Sequence, residues 1–254
     1  MGIFKSDPTK KGSFISEFLS VAIVIYVIRS MIVNWYVVPS GSMLPTINLG
    51  DFIFTNRLAY GFNLPWPLPQ NRVVSWSQPE RGDIVVFEGP DEATSWTGKD
   101  AWVKRVIGLP GDKIEFIDGV LHVNGESYEL NYLRCPSINA GIPKTERPDQ
   151  LNLFVEKGPN LEPHYIARNS LRPASFDKNS WEVPEGKLFV MGDNRDASDD
   201  SRGKVQFLVM GKVWGKAHFI LWSKVPNELK LRLSRTFNGL YGEPLSEDSS
   251  DCKE

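Results

Sequence analysis

The chain is expected to be mainly β: an N-terminal transmembrane helix, then an antiparallel β catalytic domain carrying an inserted, loop-rich β subdomain. Three observations lead there. A long apolar stretch follows Lys5, Lys10 and Lys11 near the N-terminus. After Pro39 the apolar runs are short and rich in β-branched and aromatic residues. They are separated by many turn formers, with Gly 21 and Pro 18 in 254 residues.

The apolar stretch Phe14–Val38 is long enough, at ~1.5 Å per helical residue, to cross a hydrocarbon core of ~30 Å. Glu17 and Arg29 interrupt it. Each falls near an end of the segment if the core runs from Phe14 to Val33, where long side chains reach the interface. Trp35 and Tyr36 read as boundary aromatics. Lysines before the segment and none just after it put the N-terminus in the cytoplasm and the rest of the chain outside it. Two alternatives are a cleaved signal peptide ending at Ser40-Gly41-Ser42 and a helix lying in the membrane surface. The continuous run Phe18–Ile28 favours full insertion.

Beyond the anchor, Asp83–Phe87 and Trp102–Ile107 read as strands. Lys113–Ile117 and Val120–Asn124 flank Asp118-Gly119, a hairpin signal. Leu188–Met191 reads as a buried strand, and Val209–Trp222 as a long strand bent at Gly211 and Gly215. Leu130–Pro173 is rich in Pro, Asn and charge and weakly periodic, so it reads as loop-heavy. The resulting division is 1–13 cytoplasmic, 14–38 anchor, 39–112 and 183–227 catalytic domain, 113–182 insert and 228–254 C-terminal segment, polar and mobile after Asn238.

Composition excludes several classes. A net charge of −2 gives no electrostatic basis for nucleic-acid binding. Cys135 and Cys252 form neither a disulfide framework nor a CxxC zinc motif. His122, His164 and His218 lie apart, so no metal or other cofactor is expected.

Chemistry concentrates in three segments: VPSGSMLPTINLGD (38–51), WVKRVIGLPGD (102–112) and GDNRDASDDSR (192–202). Gly41 permits a sharp bend that presents the Ser42 hydroxyl and amide together, a pairing suited to attack on a carbonyl. Residue types alone equally describe a linker between anchor and domain. In a strand 102–107, Trp102, Lys104 and Val106 share one face and Arg105 the other. A lysine among apolar neighbours loses hydration, its pKa falls, and the neutral amine can take a proton from a serine. An edge-strand lysine in solvent is the alternative. In the third segment Asp193, Asn194, Arg195, Asp196, Asp199, Asp200 and Arg202 suggest internal ion pairs over a calcium loop, and a short hydroxyl such as Ser198 can orient a buried amine. None of the three segments contains histidine, which leaves a Ser-His-Asp triad unsupported.

SGSMLPT with its following GD, RGDIVVF and KRVIGLPGD, and GDNRDASDDSR, in that order behind an anchor, resemble bacterial type I signal peptidases, a Ser/Lys serine peptidase family. The resemblance covers roughly Phe14–Trp222. It implies Ser42 as nucleophile and Lys104 as general base. It also implies an oxyanion hole of the Ser42 amide and Ser40 hydroxyl, Ser198 as the lysine-orienting residue, and Asp200–Arg202 as a structural ion pair. Tyr36, Val38, Pro39, Val86 and Val103 match shallow pockets for small side chains. The implied function is removal of signal peptides from secretory precursors after Ala-x-Ala sites, at the outer face of the bacterial inner membrane, without cofactor. The implied partners are those precursors and the lipid bilayer. Departures from the family pattern are a single membrane segment where some relatives have two, no near cysteine neighbour for Cys135, and Ala101 where some relatives carry an acid. The competing readings are a self-cleaving Ser–Lys peptidase fused to a DNA-binding domain, for which no helix-turn-helix precedes the serine, and a catalytically silent membrane-tethered β domain that binds partners.

Overall fold

A computed structural model describes residues 8–64, 72–90, 101–133, 151–169, 180–226, 228 and 230–241, with side chains described from residue 14. Cys135 and Cys252, the end of the C-terminal tail and the proline-rich parts of the insert lie outside the described residues. Helix α1 (Pro8–Val27) continues into a wide turn, Ile28–Ile32, in which the Val33 amide reaches back to the Ile28 carbonyl. The span Phe14–Ile32 has a mean hydropathy of 1.9 and is long and apolar enough to cross a membrane. Its large apolar side chains from Phe14 to Ile25 are more than half exposed, so no other described part of the chain covers this stretch.

The helix ends earlier than the sequence suggests. Val33–Val37 is strand β1, paired with β2 (Asp51–Asn56) in the register Val33↔Asn56 to Val37↔Phe52. The β-formers Val33, Trp35 and Val37 are apolar enough to extend the apparent anchor, but a neighbouring strand satisfies their backbone. Trp35 and Tyr36 are therefore sheet residues. The Arg29 guanidinium lies 3.7 Å from the Trp35 ring centre and donates to Asn34 Oδ1. Tyr36 stacks on Trp214.

The remaining strands, in order, are β3 (Gly61–Asn63), β4 (Arg72–Ser75), β5 (Ile84–Glu88), β6 (Ala101–Gly108), β7 (Lys113–Ile117), β8 (Val120–Val123), β9 (Glu126–Ser127) and β10 (Glu129–Leu133). They continue with β11 (Leu151–Gly158), β12 (Leu161–Asn169), β13 (Ser180–Glu182), β14 (Lys187–Met191), β15 (Leu208–Val209) and β16 (Val213–Ser223). Seven make one antiparallel sheet, ordered β1-β2-β16-β5-β6-β14-β15. β16 slips register at Val213/Gly215, where a Cβ on Gly215 would meet the Asn56 carbonyl at 2.4 Å. The Asp118-Gly119 turn has positive φ at both residues and joins β7 to β8 as a tight hairpin.

The stretch 113–182 builds two further sheets, β13-β7-β8-β9 and β10-β11-β12. β11 and β12 are long strands in the region that reads as loop. Their alternation is disguised because Glu156 and His164 occupy buried positions. Buried polar side chains inside a strand defeat a hydrophobic-period reading. One apolar core, with Met43, Ile47, Ile53, Ile84, Val86 and Trp214, lies under the main sheet, while a smaller one joins Leu44 to Leu133, Leu153 and Ala167 of the β10-β11-β12 sheet.

Candidate active site

The loop between β1 and β2 carries Ser42, and it is packed. Its base is closed by the Val38 amide on the Asp51 carbonyl and the Gly50 amide on the Val38 carbonyl, both at 2.9 Å. Within it the Leu44 amide bonds to the Gly41 carbonyl and the Ile47 amide to the Met43 carbonyl. Met43, Leu44 and Ile47 are buried, which removes the linker reading of this segment. Burying such side chains stabilises by roughly 1.5–3 kcal/mol each, enough to hold a short turn in one conformation.

Lys104 lies on β6, with 4% of its surface exposed. Its Nζ is hydrogen-bonded to Ser42 Oγ at 2.8 Å and to the Val103 carbonyl at 3.0 Å, and lies 5.3 Å from the Trp102 ring centre. Burial lowers its pKa from 10.5 to about 8. Asp200, Asp199 and Asp193 pull the other way, and Arg202 adds to the lowering. Near neutrality an appreciable fraction of the amine is uncharged and can accept a proton. Ser40 Oγ is 3.4 Å from Ser42 Oγ, so both hydroxyls face the same opening.

The third segment wraps behind the serine. The Asn194 amide donates to the Ser42 carbonyl at 3.1 Å and its Nδ2 to the Gly41 carbonyl at 3.0 Å. Gly192 passes so close that a Cβ there would meet the Ser42 carbonyl at 2.3 Å and Ser198 Oγ at 2.4 Å. Asp193 takes a two-pronged bond from Arg105 (2.8 and 2.7 Å) and one from Thr46 Oγ1. This ties the residue after Lys104 to the serine loop. Burial raises the Asp193 carboxyl, but Arg105 outweighs it and the net direction is down. Asp200 and Arg202 form a buried pair at 2.7 Å, with the Gly192 amide donating to Asp200 and Arg202 Nη2 to the Arg195 carbonyl.

Other expected residues stand differently. Ser198 does not hydrogen-bond Lys104. Its hydroxyl is buried against Gly192 without a hydrogen-bond partner among the described residues, while the Val103 carbonyl takes the second bond from the amine. An open cavity of about 860 Å³ lies beside Ser42 and Lys104, and Val38, Pro39 and Val103 line it. Tyr36 and Val86 do not. Val86 is fully buried in the core, and Tyr36 packs on that core with its hydroxyl accepting from Arg57. The cavity is bounded by the end of β1 and the loop after it and by the first half of β6, Ala101–Lys104, whereas Val86 sits within β5 in the core. Leu44, Leu49, Trp102, Asn194, Ala197 and Asp199 also line the cavity, although residue types assign them no role. Trp102 was legible as a neighbour of Lys104 from strand alternation; for Asn194 no signal exists apart from the density of its segment. Among the described residues no three His, Cys, Asp or Glu side chains gather as metal ligands do.

The family described as signal peptidase, peptidase S26, matches residues 12–222. A signal peptidase I of Rickettsia typhi is 35% identical, over 93% of this chain and 96% of that protein. Those of Pseudomonas fluorescens and Pseudomonas aeruginosa are 37% identical over 73% of this chain, which spans 60% of their length. A crystal structure of a signal peptidase I from Enterococcus faecalis aligns with 56% of this chain and 98% of that one. Its 30% identity comes with a TM-score of 0.32, too loose a likeness to describe the fold by.

Proposed function

The chain belongs to the signal peptidase family, peptidase S26, and from that premise we propose a membrane-anchored serine endopeptidase that removes N-terminal signal peptides after small-x-small sites. The observation that carries the mechanism is the 2.8 Å contact between a buried lysine amine and the Ser42 hydroxyl. In this reading the precursor's extended segment lies along the cavity between Val38–Ser40 and Ala101–Lys104, adding backbone hydrogen bonds as a strand would. In this reading Val38, Pro39 and Val103 select small side chains by clashing with larger ones. Neutral Lys104 takes the Ser42 proton as Oγ bonds to the scissile carbonyl carbon. The Ser42 amide and Ser40 hydroxyl hold the oxyanion. Lys104 then gives that proton to the departing amine as the C–N bond breaks. Water attacks the ester carbonyl and its proton passes to Lys104; as the C–Oγ bond breaks and the acid product leaves, Lys104 gives that proton to Ser42 Oγ and both residues are regenerated.

Lys5, Lys10 and Lys11 ahead of the apolar helix support a cytoplasmic N-terminus, with the catalytic domain on the outer side of the inner membrane. The test is incubation of the full chain in lipid with a precursor bearing Ala-x-Ala, followed by N-terminal sequencing of the product. Cleavage after the second alanine is expected, with Ser42→Ala and Lys104→Ala each losing at least a thousandfold in kcat while keeping their fold. Substantial turnover in either variant sinks the dyad. An inert wild-type chain favours the silent binding domain.

A further inference from the structure

The β10-β11-β12 sheet touches the serine turn through Leu44 and through the 192–195 segment. Ala167 of β12 exchanges two backbone hydrogen bonds with the third segment: its amide donates to the Asp193 carbonyl and its carbonyl accepts from the Arg195 amide, both at 2.9 Å. The residue between them is Asn194, whose amide and side chain hold the Ser42 and Gly41 carbonyls. On β11, Glu156 meets the Arg195 guanidinium with both oxygens, and His164 Nε2 lies 3.3 Å from one of them. All three side chains are buried. Leu153 and Ala167 pack on Leu44, two residues past the serine.

Stability alone does not account for a charged pair placed here. Two buried charges and a histidine cost desolvation that apolar side chains would avoid. Burial pushes the Glu156 carboxyl up, yet Arg195 and His164 reverse this and bring it down to about 2, so the pair stays charged at any working pH. Its geometry fixes where Arg195 sits, and Arg195 Nε donates to the Gly192 carbonyl, on the other side of Asn194. The 192–195 backbone is thus held from below at Gly192, Asp193 and Arg195, leaving Asn194 to face the serine turn.

Resting on the function proposed above, we propose that Glu156 is a positioning residue for the Ser42 nucleophile, acting through Arg195 and Asn194, and that the three-stranded sheet is the rear support of the active site. Glu156 touches neither substrate nor the reacting atoms. Removing its charge leaves the Arg195 guanidinium buried without its partner, and the 192–195 segment shifts to rehydrate it. Asn194 then loosens its hold on Gly41 and Ser42. The groove walls along which the peptide is proposed to lie, Val38–Ser40 and Ala101–Val103, do not touch Glu156 or Arg195 and keep their place. The effect therefore falls on kcat, because a small misplacement of a nucleophile costs rate far more than binding.

The experiment uses the full chain in lipid, with wild type, Glu156→Gln, Leu153→Ala and Leu121→Ala. Leu121 is fully buried in the core under the four-stranded sheet and does not belong to the cluster around Leu44, so it controls for lost stability. All are assayed well below their melting temperatures on an Ala-x-Ala precursor. Amide exchange over 40–47 is followed in parallel. The expected result is a kcat at least tenfold lower for Glu156→Gln and Leu153→Ala with KM within twofold, and faster exchange at Leu44 and Ile47. Leu121→Ala is expected to keep both wild-type kcat and slow exchange. Wild-type kcat in Glu156→Gln, or an equal loss in Leu121→Ala, overturns the proposal. Exchange needs no turnover: if wild type cuts nothing, the functional reading fails, and unchanged exchange in Glu156→Gln separately overturns the coupling.

Discussion

Lys104 shows at the scale of one residue what burial does to chemistry. In water its amine is charged up to about pH 10.4. On β6 its pKa falls to about 8. Below that value the ammonium form dominates, and it cannot accept the serine proton. The rate at saturating precursor should therefore drop about tenfold per unit below pH 7 and level off above about pH 9. A pH profile on one precursor, corrected for unfolding, measures this; a flat curve down to pH 5 contradicts a lysine base. The neighbour Arg105 shows the opposite outcome on the same strand, because Asp193 meets it with both oxygens and keeps it charged. Strand alternation separated these two residues correctly, and desolvation of Lys104 followed from its apolar neighbours. The second bond to its amine was not legible. It comes from the Val103 carbonyl, a backbone group that sequence does not single out.

Elements were legible where hydrophobic period and turn chemistry agree, as at the Asp118-Gly119 hairpin. They were not where another part of the chain decides. β1 looks like the end of the membrane helix because its residues are apolar. It is a strand because β2 pairs with it over five residues. β11 and β12 look like loop because Glu156 and His164 are polar, yet Arg195, far along the chain, makes their burial tolerable. The boundary at Ile32/Val33 has a measurable result. A chain starting at Val33 keeps the edge strand and should melt within a few degrees of the full protein's catalytic domain. One starting at Pro39 removes β1 and the Val38 amide that closes the serine loop, and should melt at least 10 °C lower with little cleavage. Thermal unfolding in detergent of the two truncations distinguishes them, and equal melting would mean that β1 contributes nothing to the sheet.

At the scale of the molecule, the helix adds nothing to the core of the described residues, since its large apolar side chains from Phe14 to Ile25 are more than half exposed. On the function proposed above, its contribution is location. A precursor held in the same bilayer meets the cavity at a raised effective concentration, whereas a short soluble peptide does not. Cutting at Val33 should therefore lower kcat/KM on a membrane-inserted precursor by at least tenfold and leave it within threefold on a soluble Ala-x-Ala peptide. Parallel assays of both substrates check this, and an equal loss on both would assign the helix to the integrity of the site. The three polar segments and the apolar helix were readable in the sequence because their chemistry is local. The sheet that supports them from behind was not, because its contacts to them are made by backbone pairs and by charges that meet only in the folded chain.

With the helix in a bilayer, as proposed above, β1 also fixes an altitude. Five paired residues at ~3.3 Å each make a stiff post of roughly 16 Å between the end of the helix and the bend that leads to Ser42. A flexible tether would let the hydroxyl wander through a wide shell of solvent. The post confines it to a thin layer at one elevation over the lipid, tilted only as far as the wide turn at Ile28–Ile32 allows. A peptide bond is then chosen twice: by the side chains around it, and by how far up from the bilayer its own chain carries it.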